Sequence, residues 1–308
     1  MKYEGENDMT LKIEGVFPPI PTPFDADGNL LLDKVKANIA LWNRTALSGY
    51  VVLGSNGEAP MLTDNERFDL WQAAREAIPA DKLFLAGTGV ESTRNTIALA
   101  KRAAALGADA VMCVTPNYYK AEMKPAALVN HYRVIADASP IPTIIYNMPA
   151  ATALDIDANT VIQLAQHPNI VAIKDSSGNV TKFADIVRAV RPDFAVIAGS
   201  GGYFYPALCV GAKACVAALA NVAPRETIAI YDAFCNGRHD EAKRMQLKLI
   251  PLNAAVTSRW NIPGLKAALE ELNQGFYGGP PRLPLRPLPA EDRAALRKIM
   301  QDAEVIGN

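Results

Sequence analysis

Short apolar runs rich in β-branched residues recur along the chain at 16–19, 50–53, 83–86, 110–114, 143–146, 171–174, 195–198 and 214–218. They lack polar alternation, which is the pattern of strands covered on both faces. Between them the apolar positions take helical spacing, as over 33–45, 63–78, 92–106 and 125–138. The helix ends are marked. Thr63 is followed three residues on by Glu66, the spacing at which two side chains cap each other's backbone. Ser92 and Asp157 stand at N-cap positions, and Gly107 and Gly211 just past helix ends. Eight strands, each followed by a helix, predict an α/β fold, the (β/α)8 TIM barrel. The runner-up, a doubly wound sheet, carries a Gly-rich nucleotide turn after its first strand, and "PPIPTPF" is not one.

Helical spacing continues beyond the eighth unit, over 239–255, 264–272 and 290–303, interrupted by the Gly- and Pro-rich "GFYGGPPRLPLRPLP". The expected organisation is a flexible N-terminal tail at 1–13, a barrel catalytic domain at 14–236 and a small C-terminal helical domain at 237–308.

Composition narrows the function. Half of the 308 residues are hydrophobic, the formal net charge is -1 and the pI is about 6.3, so no basic excess points to nucleic acid. No apolar run is long and uncharged enough to span a bilayer, and the start "MKYEGENDMTLKIEG" lacks the apolar stretch of a secretory leader. Cys113, Cys209, Cys215 and Cys235 form no CxxC pair. Together these features predict a cytoplasmic protein in a reducing compartment, with neither nucleic-acid nor membrane partners.

In such a barrel the chemistry sits at the C-terminal strand ends. That rule selects "GSNGE" (54–58), "TPNYY" (115–119), "YNMP" (146–149), "KDSSG" (174–178) and "GSGG" (199–202). Lys174 ends a strand with no break before it, although burying a lysine charge is costly. Loss of hydration there favours the neutral amine, a nucleophile that condenses with carbonyls to give Schiff bases. The competing reading is a lysine that reaches out to solvent or pairs with Asp175, but successive strand residues point to opposite faces. Tyr146 alone reads as a rim tyrosine; beside an imine-forming lysine it is a candidate proton shuttle. Gly54 and Gly57 allow a turn that exposes backbone N–H groups, with Ser55 and Asn56 adding donors. A carboxylate cradle and an ordinary Gly-rich turn fit that stretch equally, and Glu58 reads as its brace.

No Lys or Arg falls between Arg191 and Lys213, so the "GSGG" turn offers close backbone approach to a small uncharged or carboxylate ligand. "GTGVES" (87–92) lacks the third glycine of a dinucleotide fingerprint. The three histidines, His131, His167 and His239, are far apart and none lies at a strand end, which disfavours a metal-dependent aldolase.

Taken in order, "GSNGE", "VTPNYY", "YNMP", "AIKDSSG", "AGSGG" and "ALANVAP" resemble the dihydrodipicolinate synthase / N-acetylneuraminate lyase family, from about Gly15 to the C-terminal helices. The resemblance implies a homotetramer built as a dimer of dimers. It also implies a metal-independent class I aldolase that holds pyruvate or another 2-oxo acid as a lysine imine, with no cofactor. It makes Lys174 the Schiff-base lysine and Tyr146 the proton relay. Ser55 and Asn56 become the carboxylate-binding pair, and Tyr118 the tyrosine that completes a hydroxyl relay in the neighbouring subunit's site. Val216 lines the pyruvate pocket and Gly199 is the close-approach glycine.

There are departures. Ala151, in "YNMPAATA", stands where lysine-pathway synthases carry an arginine, and Asn56 replaces a threonine. "GSNGE", "KDSSG" and "AAVTSRWNIPGLKAAL" (254–269) look like the 4-hydroxy-2-oxoglutarate aldolase branch, which adds Ser176 as a contact for the distal part of the substrate. The expected activity is cleavage or formation of a C3–C4 bond with pyruvate and an aldehyde, glyoxylate in that branch, as partners. The alternatives are dihydrodipicolinate synthase, a sugar-acid aldolase or dehydratase, and a non-catalytic pyruvate-binding barrel.

Overall fold

The computed structural model describes residues 11–307. In chain order, β1 (Gly15–Phe17), α1 (Leu32–Trp42), β2 (Gly49–Val52), α2 (Asp64–Ala77), β3 (Leu83–Gly87), α3 (Thr93–Ala105), β4 (Ala110–Val114) and α4 (Pro125–Ala138) form the first half. β5 (Thr143–Asn147), the short α5 (Pro149–Thr152), α6 (Ala158–Leu164), β6 (Ile170–Asp175), α7 (Val180–Ala189), β7 (Ala195–Ala198), α8 (Phe204–Cys209) and β8 (Ala214–Val216) follow. A short α9 (Leu219–Val222) leads into α10 (Pro224–Cys235), α11 (His239–Ala254), α12 (Asn261–Glu271) and α13 (Ala290–Asp302).

All eight strands are parallel, pair in sequence order from β2 to β8, and return from β8 to β1. The seam between β1 and β2 has a chemical cause. Pro18 and Pro19 have no N–H to donate. The Val51 N–H instead donates to the Pro18 carbonyl and the Val51 carbonyl accepts from Ile20, each at 3.0 Å. The first strand, expected over 16–19, therefore ends at Phe17. The last, expected to reach 218, ends at Val216 because the chain turns directly into α9.

Strand residues alternate between two apolar layers. Ile144, Tyr146, Ala172 and Val216 fill the barrel interior, while Ile145 and Ile173 pack outward against the helices. The caps behave as the local sequence dictates. The Thr63 N–H donates to Glu66 at 2.8 Å and the Glu66 N–H to Thr63 Oγ1 at 3.4 Å, closing the capping box of α2. Gly107 and Gly211 both adopt positive φ after their helices.

The C-terminal helices join the outer core. Leu249, Leu252, Val256, Leu265 and Leu296 are buried in the same cluster as the outer strand residues. Between α11 and α12 the break is confined to Trp260 and the positive φ of Asn261. α11 itself continues into a π-helical turn, Ala255–Arg259, and the helix expected at 264 begins at Asn261. The irregular connector straps back onto the first half of the barrel. Arg282 donates to the carbonyls of Met61 (2.8 Å) and Gly28 (3.1 Å) and pairs with Glu66 at 2.5 Å. Residues 1–10 of the expected tail lie outside the described residues. Ile13, counted with that tail, is instead 2% exposed and packs into the barrel interior, because an apolar side chain at the first strand's entry has core to join. Among the described residues no helix is long and apolar enough to cross a membrane.

Candidate active site

The pleat decides what the strand tips present. Tyr146 and Lys174 are register partners across β5 and β6 and both point into the barrel; Asn147 and Asp175, the next pair, point out. Lys174 is 5% exposed, and no carboxylate lies within ion-pair distance of its amine among the described residues. Its Nζ stands 3.8 Å from the centre of the Tyr146 ring. The Tyr146 hydroxyl in turn shares a 3.0 Å hydrogen bond with Ser55 Oγ. Amine, phenol and hydroxyl thus come from three strand ends and meet in one place. The pairing of Lys174 with Asp175 weighed from the sequence does not occur: Asp175 pairs with Lys182 at 2.7 Å on the outer face.

Ser55 is placed by a tight turn. Leu53 and Glu58 on either side adopt positive φ, an uncommon conformation for non-glycine residues that clusters at ligand sites. Ser55, Asn56 and Gly57 make one 3-10 turn between them, held where Thr22 Oγ1 donates to the Gly57 carbonyl at 2.6 Å. The glycines of "GTGVES" serve packing rather than nucleotide binding. A Cβ on Gly87 would overlap the Leu53 carbonyl, and one on Gly89 the backbone of Val114. Glu58 is the expected brace. Its buried carboxylate pairs with Lys266 of α12 at 2.6 Å and accepts the Arg282 N–H at 2.8 Å.

A cleft of about 470 Å³ opens beside the Tyr146–Ser55 contact, with Thr115, Asn117, Ala151 and Arg67 in its walls. Lys174 is not part of that wall; Tyr146 stands at the inner end. On the other side of the mouth Gly199 packs against the tip of β6. Its N–H donates to the Asp175 carbonyl at 2.8 Å, and a Cβ there would overlap Ser176 Oγ and lie 2.6 Å from that carbonyl. Ser176 is tied to β5 through its N–H, 2.9 Å from the Asn147 carbonyl. Val216 closes the interior wall at the end of β8, 1% exposed. Tyr118 stands apart on the rim. It is 77% exposed, edge-on to Tyr119 at 5.1 Å, and its N–H donates to Glu91 at 2.9 Å.

Several residues at the mouth were not legible in the sequence. Arg67 is 6% exposed in the cleft wall, donates to the Ala59 carbonyl at 2.5 Å, and burial lowers its pKa below the ordinary arginine range. Tyr203 donates to the Asp175 carbonyl at 2.9 Å, and burial raises its hydroxyl far above the usual tyrosine range. Lys182 and Asp155 complete the outer cluster around Asp175. The only sequence signal for that cluster was that an outward Asp175 under a helix layer needs partners. The histidines lie elsewhere: His131 in α4 on Thr93 Oγ1 (2.8 Å), His167 beside Asp137 (3.0 Å), and His239 at the start of α11.

Comparison with known proteins bears on the family and the fold. The Dihydrodipicolinate synthetase family matches residues 12–303. The 4-hydroxy-tetrahydrodipicolinate synthase of Methanothrix thermoacetophila is 36% identical over 287 residues, 93% of this chain and 95% of that one. A probable mitochondrial 4-hydroxy-2-oxoglutarate aldolase of Emericella nidulans is 34% identical over 296 residues, 94% of this chain and 95% of its own. Among solved structures, the chloride-inhibited dihydrodipicolinate synthase from Acinetobacter baumannii complexed with pyruvate superposes with a TM-score of 0.90 at 31% identity, covering 96% of this chain and 100% of that one. The barrel, its strand-end residues and these full-length matches lead to one conclusion: the chain belongs to the dihydrodipicolinate synthetase family and is a carbon–carbon lyase of that family.

Proposed function

We propose that the protein is a class I lyase that cleaves a 4-hydroxy-2-oxo acid through a Schiff base on Lys174, with pyruvate as one product. The observation that carries this reading is the Lys174–Tyr146–Ser55 line, amine 3.8 Å from the ring and phenol 3.0 Å from the hydroxyl, inside the barrel mouth. The Lys174 amine adds to the C2 carbonyl and water leaves, forming a protonated imine. The C4 hydroxyl proton passes to Tyr146 and on towards Ser55. The C3–C4 bond breaks, its electrons enter the imine as an enamine, and an aldehyde departs. Protonation at C3 and hydrolysis return pyruvate and the free amine. The Ser55–Asn56 turn holds the substrate carboxylate next to C2. Ser176 reaches the distal part, Gly199 packs close against the strand end that carries Ser176, and Val216 walls the methyl side.

The substrate that fits best is 4-hydroxy-2-oxoglutarate, giving pyruvate and glyoxylate. Ala151 bears on the choice: the cleft wall carries a methyl group where the resemblance puts the synthases' arginine for the distal carboxylate of an aspartate-semialdehyde adduct, and Arg67 is the cation present in that wall. The Emericella relative carries that aldolase name. The second reading, 4-hydroxy-tetrahydrodipicolinate synthase, is favoured by the name and 36% identity of the Methanothrix relative. The exposure of Tyr118 suits a side chain that enters a neighbouring subunit's site in a homotetramer.

The test is borohydride reduction with pyruvate, which should add a pyruvyl mass to Lys174 and to no other lysine. A panel of 4-hydroxy-2-oxo acids, with pyruvate release as readout and Lys174→Ala as control, then orders the substrates. An unmodified Lys174 removes the mechanism; faster turnover with pyruvate and aspartate semialdehyde than with any panel member removes the substrate assignment.

A further inference from the structure

Behind the inward pair Tyr146 and Lys174 sits an outward network that the chemistry above does not use. Asn147 Nδ2 donates to Asp175 Oδ2 at 3.0 Å and to Asp155 Oδ1 at 2.7 Å. Lys182 Nζ stands 2.7 Å from Asp175 and 2.5 Å from Asp155. The Asn147 carbonyl oxygen of the side chain accepts the Ile156 N–H at 3.1 Å, and Asp175 Oδ1 accepts the Ser177 N–H at 2.7 Å. Asn147 and Asp175 are fully buried and Lys182 is 6% exposed.

Such a cluster is a poor way to gain stability. Desolvating its charges costs much of what their attraction returns, and apolar residues of similar volume hold a strand to a helix as well. What directional hydrogen bonds add is position. Asn147 and Asp175 are the residues next after Tyr146 and Lys174 and are themselves register partners. A peptide unit that rotates on the outer face rotates its inner neighbour too, because the pleat is shared. The network joins both strand tips to α7 and to the loop before α6, so neither tip can turn alone.

We propose that Lys182, with Asp175, Asn147 and Asp155, is a positioning device that sets the inward geometry of the Lys174 amine and the Tyr146 hydroxyl without touching substrate. The assignment rests on the imine reading above. Misplacing a reacting group by about 1 Å costs on the order of 100-fold in rate. The carboxylate cradle at Ser55 and Asn56 lies in the turn after β2 and has no member of the network; its link to it is the Ser55–Tyr146 hydrogen bond, so the loss falls mainly on rate.

The test measures borohydride trapping of pyruvate on Lys174 in the full-length protein at varied pyruvate, beside melting temperature. Lys182→Met should lower the saturating trapping rate at least tenfold, with the half-saturating pyruvate concentration changed less than twofold. Lys182→Arg should recover most of that rate. Asp155→Asn, at a position whose side chain is 49% exposed and so tolerant of change, should lower it several-fold with the melting temperature nearly kept. If Lys182→Met fails to fold, the other two variants decide. Unchanged saturating rates per folded chain in the variants, with only melting lowered, overturn the positioning role. A wild-type protein that traps no pyruvate overturns the imine reading and the positioning role together, and that result is seen before any variant is made.

Discussion

Lys266→Met puts the brace of the Ser55 turn to the sharpest test. Lys266 and Glu58 form a 2.6 Å ion pair whose side chains are 1% and 0% exposed. Lys266 also donates to the Pro280 carbonyl at 2.8 Å and lies 4.6 Å from the Phe24 ring centre. Burial pulls its ammonium below the ordinary lysine range, and Glu58 opposes that pull. Methionine keeps the length and removes the charge, which leaves the Glu58 carboxylate buried with the Arg282 N–H at 2.8 Å. Breaking a buried pair from one side costs about 3–5 kcal/mol, against about 0–1 kcal/mol for an exposed one. An unfolding entropy of about 2.1 cal/mol/K per residue gives about 0.65 kcal/mol/K for 308 residues, so melting should fall by about 5–8 °C. Differential scanning fluorimetry at fixed protein concentration reads the shift. Because Glu58 ends the turn that presents Ser55, pyruvate trapping on Lys174 should slow in the folded fraction as well. A shift under about 2 °C with normal trapping would mean that the pair behaves energetically as a surface pair, and the bracing argument would fail.

Gly199→Ala drives a Cβ into Ser176 Oγ and against the Asp175 carbonyl, so it should cost about 1–3 kcal/mol and most of the lyase rate; crystals of a fully active variant would contradict the close packing. His131 is held neutral by burial with its pKa lowered to about 4 from 6.5, so its contribution is complete above pH 6.5 and is lost as pH falls towards 4, roughly 3 kcal/mol in all. Urea unfolding at pH 7 and pH 4.5 should show that loss, and His131→Gln should flatten it. Ala151→Arg adds a second cation to the cleft wall beside Arg67 and should raise turnover of pyruvate with aspartate semialdehyde several-fold in a coupled assay; no gain would show that charge at this position is not what limits that reaction.

Much of this protein is written in local pattern. The eight strands follow from short β-branched runs, because a strand covered on both faces needs nothing else. The start of α2 follows from Thr63 and Glu66, whose capping bonds span three residues. That Lys174 and Tyr146 face inward follows from a period of two and from the barrel alone. The strand-end rule then makes a short list of residues for the site, and the cleft opens among them.

What the chain order does not carry is partnership. Pattern says that Asp175 faces out, but its cation, Lys182, and its amide, Asn147, come from a different helix and a different strand. The same holds for Glu58 with Lys266 and for Glu66 with Arg282, pairs that exist only because the C-terminal helices and connector fold back over β2 and α2. The contact between Tyr146 and Ser55 likewise waits on closure of the barrel. Hydrophobic periodicity encodes which face a residue takes, since that depends on near neighbours and on water. Which charge meets which depends on where distant segments come to lie, and only the tertiary structure decides it.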